Sequence, residues 1–566
     1  MQQAVASVHR LYSGSPMSPL NACAAPVVTL HSRKQGPAPS RRRRVATAVI
    51  VAAFGLVSGS FSIAAQVVPG NGAAIGSLEA DEARVRQLTG QSLPVRPDSG
   101  TGRVRVVPPR VLLRWNSDLP YGGNDGALWS GRGTSASIVG GATISYLPHG
   151  IHAEFALVPE LSYAENRPFQ FIAGRAPGRS AFSSPFEIGA NSADIPIRFG
   201  DQRIIAVGPG QSAITLSTDR VAFGFSTANE WWGPAIRNTL VLSNNAAGIP
   251  RVFVRSARPL ASRFGETELR LIAGDLTESP YFDRDVQNDA RAVSGLLVTF
   301  RPALDSELTV GLSRLVVAPV MSRNELPSHV LDVLTRWEPV RAPDDVTSDG
   351  RSTQRTDQIF SLFARWIFPA SGLEIYGEWA RTELPRSLAE FMGAPQSTQA
   401  YTFGGQFVQP AMQGHRVRLQ AEATNLEQTI VWPDRPTLDY YAGRAAVQGM
   451  TQRGQVLGAP IGPGASSQFL AGDWLAPSWQ AGVFASRTRN AEDALYRQFI
   501  PISTRHDVTL AAGFRGGWHA RHSYISGELV SSRRLNYLFQ TNFYQGNPVL
   551  ATDVSNLSLT IRIDPR

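Results

Sequence analysis

The chain has a single cysteine, Cys23. One thiol makes no internal disulfide, and this one lies in a segment that reads as a removable leader. The mature chain is then left without a thiolate nucleophile or thiolate metal ligand. Long apolar runs are missing too: beyond residue 66 none approaches the roughly 18 residues that a membrane-spanning helix needs. If the mature protein crosses a membrane, it must cross as strands. No Gly-x-x-x-x-Gly-Lys-Ser/Thr phosphate loop, Gly-x-Ser-x-Gly elbow or His-Glu-x-x-His helix is present, so no motif supports phosphoryl transfer, serine hydrolysis or zinc catalysis. His519 and His522 stand three apart in a stretch that reads as strand, which points them to opposite faces rather than at one metal. No cofactor and no metal are expected.

Acids are lacking at one end only. The formal charge of +9 invites a nucleic-acid partner, but residues 1–65 hold Arg10, Arg33, Lys34 and Arg41 to Arg44 with no acid, so the remainder carries +2. The basicity belongs to the leader, and nucleic acid is excluded. Residues 1–65 contain the Arg41-Arg42-Arg43-Arg44 run, an apolar segment from Val45 to Val57, and small residues at Ser62, Ala64 and Ala65. These are the parts of a secretory signal, with a mature start at Ala65 or Gln66. A retained N-terminal anchor helix is the other use of such a segment; the small-residue exit and the polar stretch after it weigh against that. The arginine run lies far from Met1, and a start at Met17 would shorten the lead-in.

Beyond the leader the chain falls into two parts. Residues 66–132 read as a short helical element and a connector. The helix is expected over 77–90, with Ser77 as N-cap, Glu79, Asp81 and Glu82 early, Arg84 and Arg86 late, and Gly90 as terminator. Its narrow stripe of Leu78, Val85 and Leu88 needs a surface to lie on. From Gly133 to residue 566 the chain is a series of segments about ten residues long with apolar residues at every second position. Leu373, Ile375, Gly377 and Trp379 oppose Glu374, Tyr376 and Glu378, and Leu557, Leu559, Ile561 and Ile563 oppose Asn556, Ser558, Thr560 and Arg562. Strands of 9 to 11 residues suit a bilayer, whereas soluble strands average about half that. About sixteen such segments can be counted, which predicts an antiparallel transmembrane β-barrel of 16 to 18 strands.

The polar faces carry Glu154, Glu268, Glu374, Glu378, Glu422, Glu528, Arg270, Arg416, Arg418 and Arg562. An arginine at mid-depth facing lipid costs roughly 2 to 4 kcal/mol, so these must line a wet interior, and their balance of sign predicts paired charges. Trp366, Tyr376, Trp379, Trp474, Trp479 and Tyr537 stand near segment ends as candidates for interfacial girdles. Long connections at 165–200, 229–250, 318–356, 383–398 and 426–465 are expected outside the cell, where binding groups concentrate. The last residues, Ile563-Asp564-Pro565-Arg566, lack the aromatic ending of many outer-membrane barrels.

The stretch from Asp219 to Pro250 holds the most distinctive chemistry. After a strand carrying Val221, Phe223 and Phe225 comes Asn229-Glu230-Trp231-Trp232-Gly233-Pro234, then Leu242-Ser243-Asn244-Asn245-Ala246. Indole faces beside amides and a carboxylate match the C–H faces and hydroxyls of a sugar, so Glu230, Trp231, Trp232, Ser243, Asn244 and Asn245 are candidate binding residues. The same residues could instead wedge an inward-folded loop into the lumen, with Asn244 and Asn245 satisfying buried carbonyls; the two uses are compatible. Glu230 lacks the nearby second carboxylate that glycosidic cleavage needs.

The Trp-Trp-Gly-Pro and Ser-Asn-Asn-Ala pair resembles the capsule assembly Wzi family of Gram-negative outer-membrane proteins. The resemblance reaches upstream to Asn116-Ser117-Asp118-Leu119-Pro120 and Gly123-Asn124-Asp125-Gly126-Ala127-Leu128-Trp129, and downstream to Asp357-Gln358 and Ile375-Tyr376-Gly377-Glu378-Trp379. It implies a barrel of eighteen strands with the helical segment on the periplasmic side, and a non-enzymatic role in attaching or assembling capsular polysaccharide or exopolysaccharide. The implied setting is a monomer in outer-membrane lipid, with the polysaccharide export machinery as a further partner. Two other readings stand beside it. One is a porin-like diffusion channel for small solutes or oligosaccharides. The other is a rim enzyme, for which His506, Asp507 and Glu230 would have to converge.

Overall fold

The computed structural model describes residues 78–90, 103–147, 150–174, 176–187, 192–340, 353–428, 438–498, 506–539 and 553–565. The leader expected over 1–65, Cys23 and the cleavage site lie outside these residues. Alternating apolar and polar residues build eighteen antiparallel strands. In chain order they are β1 (Arg103–Asn116), β2 (Gly133–Tyr146), β3 (His152–Leu157 with Glu160–Ala164), β4 (Ile204–Gly208 with Ala213–Ser217), β5 (Val221–Ser226), β6 (Arg251–Ser256 with Leu260–Ser262), β7 (Gly265–Thr277), β8 (Ala290–Pro302) and β9 (Leu308–Pro319). The second half runs β10 (Asp357–Phe368), β11 (Leu373–Arg381), β12 (Gln399–Pro410), β13 (Arg416–Asn425), β14 (Ser466–Leu475), β15 (Trp479–Arg489), β16 (Val508–His519), β17 (Ser523–Leu535) and β18 (Val554–Pro565). Each strand pairs with its neighbours, and β18 pairs back onto β1 with Leu113 opposite Ile561. Closure leaves no free sheet edge, which is what lets strands cross lipid with every backbone group satisfied.

The barrel opens earlier than Gly133. β1 lies inside the stretch read as connector because Pro108-Pro109 interrupts its alternation. The ladder absorbs the prolines, which lack N–H donors, as a register shift between Val107 and Arg110 against β2. Gly140 makes room for this: a Cβ there would lie 2.8 Å from the Pro109 Cα.

Successive strands meet alternately in short turns, such as 369–372 and 476–478, and in long loops at the opposite end. In outer-membrane barrels the short turns are periplasmic and the long loops external. The expected connections at 165–200, 229–250, 318–356, 383–398 and 426–465 all join strands at the external end, as do those at 117–132, 278–289, 490–507 and 536–553. Trp366, Trp479 and Trp518 are partly exposed on the outer wall near the short turns, the place for an interfacial girdle. Tyr376 and Tyr537 are buried instead; Tyr376 donates to Glu422 over Gly404 of the intervening β12, and Tyr537 to the Gln170 carbonyl.

The expected helix is present as α1 (Leu78–Leu88), with Gly90 after it at φ 64°. Val85 and Leu88 bury against Ile367 and Val408, at the short-turn ends of β10 and β12. Arg84 places its guanidinium on Glu374 of β11 and donates to the Pro234 carbonyl at 2.6 Å. Arg418 of β13 reaches Asp81 at 2.7 Å. The helix is therefore held inside the short-turn mouth by the paired lumenal charges that the polar strand faces predicted.

Candidate functional site

The loop between β5 and β6, residues 227–250, turns inward and fills one side of the lumen. Trp232, Leu240, Val241, Leu242 and Ile249 pack with Ile272 and Leu276 of β7, Val293 and Leu297 of β8, Leu315 and Val317 of β9, and Tyr440 and Tyr441 of the loop 426–465. Loop backbone buried this way must find partners for its N–H groups. Strand carboxylates supply them. Glu422 accepts from the N–H groups of Ile236 (2.8 Å), Arg237 (3.0 Å) and Asn238 (2.8 Å). Glu378 accepts from the Leu240 N–H at 3.1 Å and from the Ser361 hydroxyl at 2.8 Å. On a second loop, Asp357 takes the N–H groups of Arg444 and Ala446, each at 2.7 Å.

The six residues singled out as a sugar-binding constellation all belong to this assembly, and most are used up by it. Trp232 is fully buried, its N–H donating to Glu230 at 2.6 Å. Glu230 is also gripped by Arg251 (Nε, 3.0 Å) and Arg270 (3.0 Å). Burial alone would push its carboxyl up, but Arg251 and then Arg270 outweigh that and hold it down at about 2, so it stays ionised and has no proton to give. Ser243 donates to the Gly458 carbonyl at 2.6 Å and Asn245 to the Val456 carbonyl at 3.0 Å, which ties the loop to its neighbour. Asn244 donates to the Asn124 carbonyl at 3.0 Å and its own backbone carbonyl receives the Gly126 N–H at 2.7 Å. The upstream Asn124-Asp125-Gly126 motif and the Ser-Asn-Asn motif thus meet as two halves of one packed turn. Trp231 differs. It is half-buried, its N–H bonds to the Ala235 carbonyl at 3.1 Å, and it lines open space.

That space is a cavity of about 560 Å³ between the inward loop and the lumenal faces of β13 to β18 and β1, running from the α1 end to the outer loops. Tyr121, Trp231, Arg237, Gln420, Gln480 and Glu528 are among its lining. The Arg237 guanidinium lies over the Phe469 ring at 4.1 Å. Burial and then the neighbouring Glu528 carboxylate push the Tyr121 hydroxyl up. Flat rings beside amide, guanidinium and carboxylate groups suit hydroxyl-bearing ligands. Sequence reasoning misses Tyr121, Arg237, Gln420 and Gln480 as lining residues. Arg237 sits inside the distinctive loop, and Glu528 belongs to a polar strand face, but which lumenal positions stay open depends on how the loops fold.

The groups required by a rim enzyme do not converge. Glu230 binds Arg251 and Arg270, His506 pairs with Glu492, and Asp507 takes a bidentate grip from Arg534 at 2.7 Å on each oxygen.

Comparison with known proteins adds a family. The profile described as "Capsule assembly protein Wzi" matches residues 210–526. No curated protein sequence matches the chain. Among solved structures, similarity extends to the Escherichia coli outer membrane protein Wzi, described as involved in group 1 capsule assembly and as a carbohydrate-binding β-barrel, at 11% identity over 81% of this chain and 84% of that one, with a TM-score of 0.48. Pseudomonas aeruginosa OccK9 stands at 12% identity, 82% and 98% coverage and a TM-score of 0.38. Vibrio cholerae OmpT, expressed in the outer membrane, stands at 9% identity, 83% and 99% coverage and 0.31.

Proposed function

Because the chain belongs to the capsule assembly protein Wzi family, we propose that this outer-membrane barrel holds capsular polysaccharide or exopolysaccharide at the cell surface by binding alone, without catalysis. The observation that carries the reading is the division of labour within the family's landmark loop: it plugs one side of the lumen and leaves Trp231 facing a cavity lined by rings, amides and charges. Of the six candidate residues, Trp231 is the one that contacts sugar in this reading, joined by Tyr121, Arg237 and Glu528. Glu230, Trp232, Ser243, Asn244 and Asn245 shape the wall behind it. The external loops extend the surface upward, so that a repeating polymer gains from many weak contacts. Residues 1–65 serve as the leader, the barrel acts as a monomer, and the α1 end is the face offered to export machinery.

Deleting the gene and measuring cell-bound and shed polysaccharide separately tests this. Loss of the cell-bound fraction with a matching rise in the shed fraction is expected; unchanged retention at the surface would overturn the proposal. A diffusion channel needs an open lumen, and two loops packed into this one count against it.

A further inference from the structure

Residues 321–338, which follow β9, fold against the outer side of the barrel. Register fixes which side each strand residue faces: Arg314 stands opposite Phe360, Leu312 opposite Leu362, and Leu308 opposite Trp366. Leu362 and Trp366 are exposed on the outer wall, so Arg314 points to the lipid side, as do Ser294 and Gln358, both opposite Val316. An unshielded guanidinium there is costly, yet Arg314 is only 1% exposed, because residues 321–338 fold over it. Arg314 donates to the Val333 and Arg336 carbonyls and to Gln358 at 2.7 Å, and lies 3.8 Å from the Trp337 ring centroid. The Val333 N–H donates to Ser294 at 3.0 Å, and Gln358 donates to the Glu338 carbonyl at 3.1 Å.

The outer side of this strap is graded with depth. Arg323, Asn324, Glu325 and Ser328 are exposed at the level of the strand ends, where Arg323 meets Asp275 at 2.8 Å and Leu326 packs near Ala292 and Ala318. The stretch resting on Ser294 and Arg314 lies deeper, roughly 12 Å below the end of β9 for tilted strands. There the exposed residues are Val330, Leu331, Leu334, Thr335 and Trp337, four of the five apolar, with Leu331, Leu334 and Trp337 at 55%, 45% and 57%. The partly exposed Arg336 is paired with Asp332 at 2.9 Å. Charges at the rim above apolar groups below follow the order of headgroups above acyl chains, and the apolar part continues the lipid-facing wall of Leu312 and Leu362.

We propose that residues 330–337 form an external-loop strap that covers outward-facing polar residues of β8 to β10 and takes the acyl chains of the outer leaflet as its partner. The strap restores a lipid-facing surface where the strands themselves present Arg314, Ser294 and Gln358. This is independent of what the lumen binds. The test is site-directed spin labelling of the full chain in phosphatidylethanolamine/phosphatidylglycerol vesicles, with Cys23→Ser as background and Leu331→Cys, Leu334→Cys or Ser328→Cys as label sites. All three positions are exposed, so folding should survive. Labels at 331 and 334 should collide with oxygen and lose collisions with a nickel chelate, while the label at 328 should do the reverse. Labels at 331 and 334 as open to nickel as 328 would overturn the proposal in favour of a water-exposed loop. Protection from both collision partners, with spin–spin broadening between molecules, would overturn it in favour of a second copy.

Discussion

Adjacent tryptophans with opposite fates show what decides a residue's role here. Trp232 has no exposure and an N–H held by Glu230, so Trp232→Ala should cost about 3–5 kcal/mol, the range for emptying a large aromatic site, read as a lower denaturant midpoint for the barrel in lipid vesicles. Trp231 borders the cavity, so Trp231→Ala should leave that midpoint nearly unchanged while weakening retention of polysaccharide on purified protein. Equal loss of stability from both variants would remove Trp231 from the binding surface. The named lumenal cations are all arginines, whose planar fork fits carboxylates two bonds at a time, as Arg534 does on Asp507. An external loop gives a pH effect. Burial, with Asp283 and Asp194 nearby, pushes the Glu278 carboxyl up to about 8 despite a hydrogen bond from Gln448. The folded loop therefore holds a proton that the unfolded chain releases above the ordinary carboxylate range. Its contribution is full at acid pH and is lost as pH rises toward and through about 8. Amide exchange in 278–289 should speed up between pH 6 and pH 9 beyond the intrinsic chemical rate, and Glu278→Gln should flatten that excess.

At the scale of elements, the inward loop is a case of backbone satisfied by side chains from elsewhere: three successive N–H groups close on Glu422 and another on Glu378. Removing residues 233–241 with a short Gly-Ser link should leave the closed ladder intact, since no strand residue is lost, and should raise single-channel conductance in planar bilayers above that of the full chain. An unchanged conductance would mean that this loop is not what fills the lumen. The strands were legible because a wall between lipid and a wet interior imposes alternation on every segment, and α1 was legible from its own terminators. β1 was not, because Pro108-Pro109 hides its period. The candidate site was half legible. Trp231, Trp232 and the Ser-Asn-Asn run stood out by composition, but composition does not tell a buried anchor from a lining residue. That distinction rests on contacts such as Asn244 with Asn124, residues 120 apart in sequence, which no local pattern reveals. The carboxylates on the polar faces were visible as lumenal, yet their duty of holding a loop's backbone depends on where that loop goes.

For the whole molecule, the wall and the filling do different jobs. The barrel supplies a rigid, lipid-anchored frame, α1 occupies part of the short-turn mouth, and the open volume lies between the plug and one arc of wall, extending to the external loops. A cavity of about 560 Å³ is within the range of small-ligand sites, too small to hold more than a short piece of a polymer. If retention depended on that piece alone, a single repeat unit would bind as well as the chain it came from. If the outer loops share the load, each added repeat raises the effective concentration of the next contact. Titrating the purified barrel with oligosaccharides of increasing length from the native surface polymer should then show affinity climbing with length, by roughly 10²–10⁴-fold overall. Trp231→Ala should lower the affinity for every length by a similar factor, because it touches the one segment in the cavity and leaves the loop contacts alone. A flat length series would confine binding to the cavity and take the external loops out of the mechanism.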